Sequence, residues 1–336
     1  MNGELTPKSA HAIDTHAHFY PRSYIDLIAR HGAAHGARCS VTPGGMVVET
    51  EGLRTPPLGP QFTDIDTRLA TMDRQRVHMQ ALSLTQPMVY WAPGDLALEL
   101  SATYNDAVNA AHLSYPDRIV GLAMLPMHDP PRAIAELERV RMLPGIRGVY
   151  LATTIGDHEL DDRMFFSVYE RIEAFRLPVF LHPIKGLGHE RMSSWYLHNS
   201  MGYPFETALA AAHLIFGGVL DDFPALEFCL PHAGGALPTL IGRLDHAFAV
   251  RPECKALPRS PREYLKRFYY DTISHSESLM QYVVDLVGVE RIVLGSDYCF
   301  NMGYADPVGK LDALRFLTTE ERAKIAEGNA RTLLRL

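Results

Sequence analysis

Along the chain, short runs rich in Val, Ile, Leu, Phe and Tyr alternate with longer stretches in which apolar residues recur at helical spacing. Repeated βα units leave this pattern. Eight strand-like runs stand out: Ala12–His18, His78–Leu84, Ile119–Leu125, Gly148–Ala152, Pro178–His182, Glu227–Pro231, Phe268–Thr272 and Arg291–Ser296. Most lack strict polar and apolar alternation, as expected of parallel strands covered on both faces. Helical spacing fills the gaps over Ile65–Gln75, Leu96–Ser114, Pro131–Met142, Arg163–Phe175, Phe205–Gly217, Ala236–Ala249, Ser276–Val287 and Thr319–Leu334. Pro131 and Pro204 stand near helix starts, where a missing N–H costs nothing, and Thr318 with Glu321 has the spacing of a capping box that opens the last helix. The pattern predicts an α/β fold, a (β/α)8 TIM barrel, with residues 1–336 as a single domain.

One stretch breaks the rhythm. Between residues 19 and 64 lie several Gly and Pro residues and one short apolar patch, Met46–Val48. A connection this long in a compact domain is usually functional or an inserted subdomain, and it is expected to run over the barrel mouth after strand one.

Composition narrows the class of partner. With 47% hydrophobic and 21% charged residues the chain can bury a large core, and nothing in this composition suggests disorder or a fibrous repeat. A formal charge of −7 without a long basic run argues against a grip on nucleic-acid phosphates. No apolar run reaches the roughly 18 residues of a membrane span, and residues 1–11 lack the apolar centre of a signal peptide, so no membrane association and a cytoplasmic location are expected. Cys39, Cys229, Cys254 and Cys299 are widely separated and form no CxxC pair, which favours reduced thiols over disulfides or a zinc knuckle.

The chemistry gathers at predicted strand ends. Strand one closes on Asp14-Thr15-His16-Ala17-His18, and residues two apart on a strand point the same way, so both imidazoles face one centre. Alone, such a pair is more often two ordinary polar residues at a strand end than a chelate. His182 closes strand five, however, His232 follows strand six and Asp297 follows strand eight, which places five metal-compatible side chains on the rim where barrels keep their active sites. Three imidazoles and a carboxylate suit one divalent ion, with Zn²⁺ as the default and Mn²⁺, Fe²⁺ or Co²⁺ compatible by donor type. His232 is then a general base rather than a further ligand, or else a loop histidine bonded to backbone.

At these residues the chain resembles the amidohydrolase superfamily, in particular the branch that contains 2-amino-3-carboxymuconate-6-semialdehyde decarboxylase (ACMSD) and related nonoxidative decarboxylases. The likeness runs from Asp14-Thr15-His16-Ala17-His18-Phe19-Tyr20-Pro21 through Gln80-Ala81-Leu82-Ser83 and Gly121-Leu122-Ala123-Met124-Leu125-Pro126 to His232-Ala233-Gly234-Gly235, Gly295-Ser296-Asp297-Tyr298 and Gly328-Asn329-Ala330. The resemblance implies His16, His18, His182 and Asp297 as metal ligands and His232 as the acid/base residue. It also implies a homodimer in which Arg243 and Arg251, within Gly242–Pro252, bind substrate carboxylate across the interface, as their planar forks suit. Read without it, they are a pair of surface arginines.

Trp195 matches a pocket aromatic of the branch, and core packing is its other reading. Arg54 is the nearest counterpart to a further carboxylate-binding arginine in a loop that aligns poorly. Two departures bear on substrate and metal: the usual Tyr-Pro-Phe-Pro becomes Tyr298-Cys299-Phe300-Asn301, and nothing marks Lys185 as a carbamylated bridge, which leaves a mononuclear site. The implied reaction is decarboxylation of an unsaturated or aromatic carboxylic acid. It begins either with His232 activating water for addition, or with direct carbon protonation in which Asp297 serves as the acid. Hydrolysis or hydration with the same residues is the competing reading.

Overall fold

The computed structural model describes residues 12–336. Eight strands follow one another around a single sheet in chain order: β1 (Ala12–His18), β2 (Val77–Ser83), β3 (Ile119–Met124), β4 (Ile146–Ala152), β5 (Val179–His182), β6 (Phe228–Leu230), β7 (Phe268–Asp271) and β8 (Ile292–Val293). Each is parallel to the next. Between β8 and β1 the ring closes through Thr15, whose N–H and hydroxyl donate to the Leu294 carbonyl at 2.9 and 3.0 Å, and through Asp297 N–H, which donates to the His16 carbonyl at 2.9 Å.

Parallel strands need cover on both faces. Side chains fill the inside, and the outside is sheathed by α1 (Ile65–Arg74), α2 (Gly94–Ser114), α3 (Pro130–Val140), α4 (Phe166–Ala174), α5 (Tyr203–Phe216), α6 (Leu237–Val250), α7 (Glu277–Val287) and α8 (319–334). Every residue of β1 and β3 is buried, which is why neither shows a polar and apolar alternation. Gly121 shows how close the layers come, since a Cβ there would collide with Val108 of α2.

Two elements differ from the pattern-based expectation. The eighth strand is expected over Arg291–Ser296, yet ladder pairing covers only Ile292–Val293, because the following residues turn their hydrogen bonds to β1 and to Ile325. The last helix opens at the Thr318 and Glu321 capping box but contains a π turn at Lys324–Gly328. Behind that turn the Asn329 amide is buried and donates to the carbonyls of Val289 and Ile292 at 2.8 and 2.7 Å, holding the start of β8.

The excursion after β1 contains a helix, Arg22–His31, and an antiparallel sheet of Arg38–Thr42, Gly45–Thr50 and Leu53–Arg54. Tyr24 of the helix is fully buried and donates to the Met88 carbonyl at 2.6 Å, anchoring the segment to the barrel. Gly45 takes φ 129° in the hairpin, where a Cβ would strike the Leu58 carbonyl. No helix among the described residues is long and apolar enough to cross a membrane.

Candidate active site

Parallel strands deliver their C-terminal ends to one rim, and that topology assembles the site. His16 and His18 end β1, His182 ends β5, and Asp297 follows β8. Their ligand atoms lie within 4.8 Å of one another, and all four residues are buried. His16 Nε2 is 3.2 Å from His18 Nε2, and Asp297 Oδ1 is 3.0 Å from His18 Nε2 and 3.6 Å from His16 Nε2.

Each imidazole is held from behind. Asp271 Oδ2 is 2.7 Å from His16 Nδ1, Ser83 Oγ 3.0 Å from His18 Nδ1 and Thr85 Oγ1 3.0 Å from His182 Nδ1. With Nδ1 engaged, Nε2 is the nitrogen left for the shared centre, the arrangement that orients metal-bound histidines.

Charge points the same way. Burial pushes the His18 pKa down to about 4 and, with the neighbouring imidazoles, holds His182 well below its ordinary value, so both are neutral donors at pH 7. Burial opposes ionisation of Asp297, but the His18 hydrogen bond and nearby imidazoles outweigh it and keep the carboxyl low. Burial also opposes a charge on His16, yet Asp271, Asp297 and Asp14 together raise its pKa. The buried Asp297 carboxylate, converging on two imidazole nitrogens 3.2 Å apart, forms with them a centre that calls for a cation. A divalent ion bound by nitrogen and oxygen fits this donor set.

Around that cluster stand the groups able to handle protons. The His232 ring centre lies 5.4 Å from those of both His16 and His182. Burial and the charge near His16 lower its pKa, and its buried Nδ1 has no hydrogen-bond partner within the chain. Asp271 fixes the backbone there, accepting from the N–H groups of His232, Ala233 and Ile273 at 3.0, 2.9 and 3.0 Å. His232 and Asp297 both adopt left-handed φ, 55° and 58°, a conformation that costs non-glycine residues about 1 kcal/mol or more and clusters at functional sites.

The cluster opens into a cavity of about 990 Å³. Phe62, Tyr196, Tyr203 and Phe300 supply aromatic wall, and Arg54 and Lys185 supply cations. Cys299, Phe300 and Asn301 are in the lining, which places the departure noted in the sequence against the substrate space. Arg54, from the excursion's last strand, is largely exposed and 3.3 Å from Glu49. The remaining sequence candidates stand apart: Trp195 is 88% exposed and outside the cavity lining, where its neighbours Met192 and Tyr196 take part. Arg243 lies exposed on α6, and Arg251, just beyond it, pairs with Glu253 at 2.5 Å. Within one chain neither arginine reaches the metal cluster.

Sequence reasoning passed over Asp271, Ser83 and Thr85. Asp271 had a signal, since it is an acidic residue at the end of the seventh strand run; the two hydroxyls had none, because Ser and Thr at strand ends are too common to single out.

Fold and site together define a metal-binding (β/α)8 barrel with its donors on the C-terminal rim. The amidohydrolase family profile matches residues 13–336, and the chain belongs to that family, in its decarboxylase branch. It is 32% identical over 333 residues to the 2-amino-3-carboxymuconate-6-semialdehyde decarboxylase of Dictyostelium discoideum, covering 96% of this chain and 91% of that one. With the gamma-resorcylate decarboxylase of Rhodococcus jostii it shares 28% identity over 291 residues, covering 81% and 87%. A dihydroxybenzoic acid decarboxylase from Polaromonas, solved with bound manganese and 2-nitroresorcinol, superposes with a TM-score of 0.80 at 25% identity, covering 97% of each chain.

Proposed function

We propose that this chain is a metal-dependent nonoxidative decarboxylase, a C–C lyase acting on a small unsaturated or aromatic carboxylic acid in the manner of its ACMSD relatives. The observation that carries the reading is the convergence of four buried ligands and His232 beside a cavity with aromatic walls. His16, His18, His182 and Asp297 would hold a divalent ion, with zinc expected and manganese, iron or cobalt suited to the same donors, and the ion would supply Lewis acidity at the end of the cavity.

The chain's own residues do the rest. His232, kept neutral by burial and lining the cavity, accepts a proton at a ring nitrogen and returns one to substrate carbon. In the direct-protonation version of the reaction, Asp297 is the acid. Phe62, Phe300, Tyr196 and Tyr203 hold a planar substrate and exclude water, while Arg54 and Lys185 attract its anionic groups towards the mouth. Arg243 and Arg251 enter the substrate site only when a neighbouring subunit presents them, so their role belongs to a homodimer. Trp195 joins the pocket wall only if its loop closes on substrate.

The test is carbon dioxide release from a panel of aminomuconate semialdehyde and hydroxybenzoate acids, with metal content by elemental mass spectrometry. We expect about one ion per chain, and a rate loss of roughly 10²-fold or more in His232→Ala without loss of metal. Stoichiometric metal with no carbon dioxide from any acid would transfer the reading to a hydrolase or hydratase.

A further inference from the structure

Behind the ligands, away from the cavity, runs a polar chain with no exposed member. Arg68 of α1, Gln80 of β2, Asp14 of β1 and Ser296 beyond β8 are each fully buried. Arg68 Nη1 donates to Gln80 Oε1 at 2.9 Å and Nη2 to the His18 carbonyl, and its guanidinium stacks 4.8 Å above the Tyr298 ring. Gln80 Nε2 donates to Asp14 Oδ2 at 2.9 Å. Asp14 also accepts from Ser296 Oγ at 2.5 Å, from Ser296 N–H at 3.0 Å and from His16 N–H at 3.1 Å, while Ser296 Oγ accepts from Tyr298 N–H at 3.0 Å.

Burying a guanidinium and a carboxylate this deeply costs several kcal/mol per ion unless both are paired and bonded. Gln80 joins them, and only one orientation of its amide works: the carbonyl meets the cation and the NH2 meets the anion. The anchors of this chain explain its placement. It grips the backbone at His16, at His18 and on both sides of Asp297, three of the four ligands, and does so across the seam where β8 offers a ladder of only two residues. His182, on the far side of the ring, is untouched by it. We infer that the Arg68–Gln80–Asp14–Ser296 chain is a positioning device that sets how long the metal ion is retained. It acts through the backbone of three ligands and contacts neither ion nor substrate. The inference rests on the metal centre and not on the decarboxylase reading, because retention is measured without substrate.

The experiment loads the protein with Zn²⁺, adds an excess of chromophoric chelator well below the unfolding temperature, and follows zinc loss from folded protein. Gln80→Met is expected to lose zinc at least about 10-fold faster than wild type, the scale on which groups behind metal ligands act. Ser296→Ala, which leaves Arg68 and Gln80 paired, is expected to accelerate loss less, and it carries the test should Gln80→Met fail to fold. Val108→Ala, a core truncation on α2 that removes none of the chain's hydrogen bonds, is the control for general destabilisation and is expected to retain zinc as wild type does. Wild-type loss rates in the folded network variants, or equal acceleration in Val108→Ala, would overturn the inference. Failure of the wild type to bind any of Zn²⁺, Mn²⁺, Fe²⁺ or Co²⁺ would overturn the metal centre with it.

Discussion

Asp271 shows how much one side chain can organise. Its carboxylate orients His16 through Nδ1 and also accepts the N–H groups of His232, Ala233 and Ile273, so one residue serves both the metal cluster and the proposed base. Substitution separates the two duties only in part, because Oδ2 serves both His16 and the His232 N–H. Asp271→Asn keeps one acceptor oxygen, for the N–H groups of Ala233 and Ile273, but loses the charge behind His16 together with the acceptor for His232 N–H, and it is expected to weaken metal binding by about 10- to 100-fold, as read by competitive metal titration. Asp271→Ala strips the acceptor as well and should lower the unfolding temperature, since each orphaned buried donor costs about 1–3 kcal/mol. At this scale the sequence was partly legible. Histidines at strand ends announce themselves, whereas Ser83 and Thr85 become orienting groups only because β2 lies beside β1 and reaches towards β5.

The start of α5 carries a titratable group that the proposed chemistry does not use. Glu206, in the helix's first turn, is buried, and burial together with nearby Glu159 lifts its pKa to about 7 against hydrogen bonds from Thr153 and Thr154. The folded protein therefore holds this proton through a range in which the unfolded chain, with an ordinary value of 4.5, has released it. Stability is unaffected by Glu206 below the unfolded value, falls as pH rises from 4.5 towards 7, and stays reduced above that. Glu206→Gln is expected to unfold at a higher temperature than wild type at pH 8 and at about the same temperature at pH 4.5. Thermal melts across that range, with equal slopes in the two proteins, would rule this out. Element positions were legible because apolar period and capping chemistry are local. The π turn of α8 was not, because it exists to bring Asn329 under β8, a contact between segments some 40 residues apart.

For the whole molecule, the ring is a closed sheet whose last seam is finished by side chains and loops that also carry ligands. Metal binding and barrel closure are therefore expected to be coupled. Chelator-treated protein is expected to melt below the metal-loaded form, with recovery on adding Zn²⁺ or Mn²⁺. At free metal near a thousand times Kd the stabilisation is about 4 kcal/mol. Melting curves that superpose with and without metal would uncouple them.

What residue order settled was everything that repeats or is local: eight βα units, their order, and the donors that end strands one and five and follow strand eight, because period and strand-end position are written in adjacent residues. What only the folded ring decided was convergence. Nδ1 partners on neighbouring strands, a guanidinium buried behind β1, the excursion's Arg54 at the cavity and the separation of Trp195, Arg243 and Arg251 from it all depend on distances between residues far apart in the chain. Those distances come from closure of the barrel, and no local pattern encodes them.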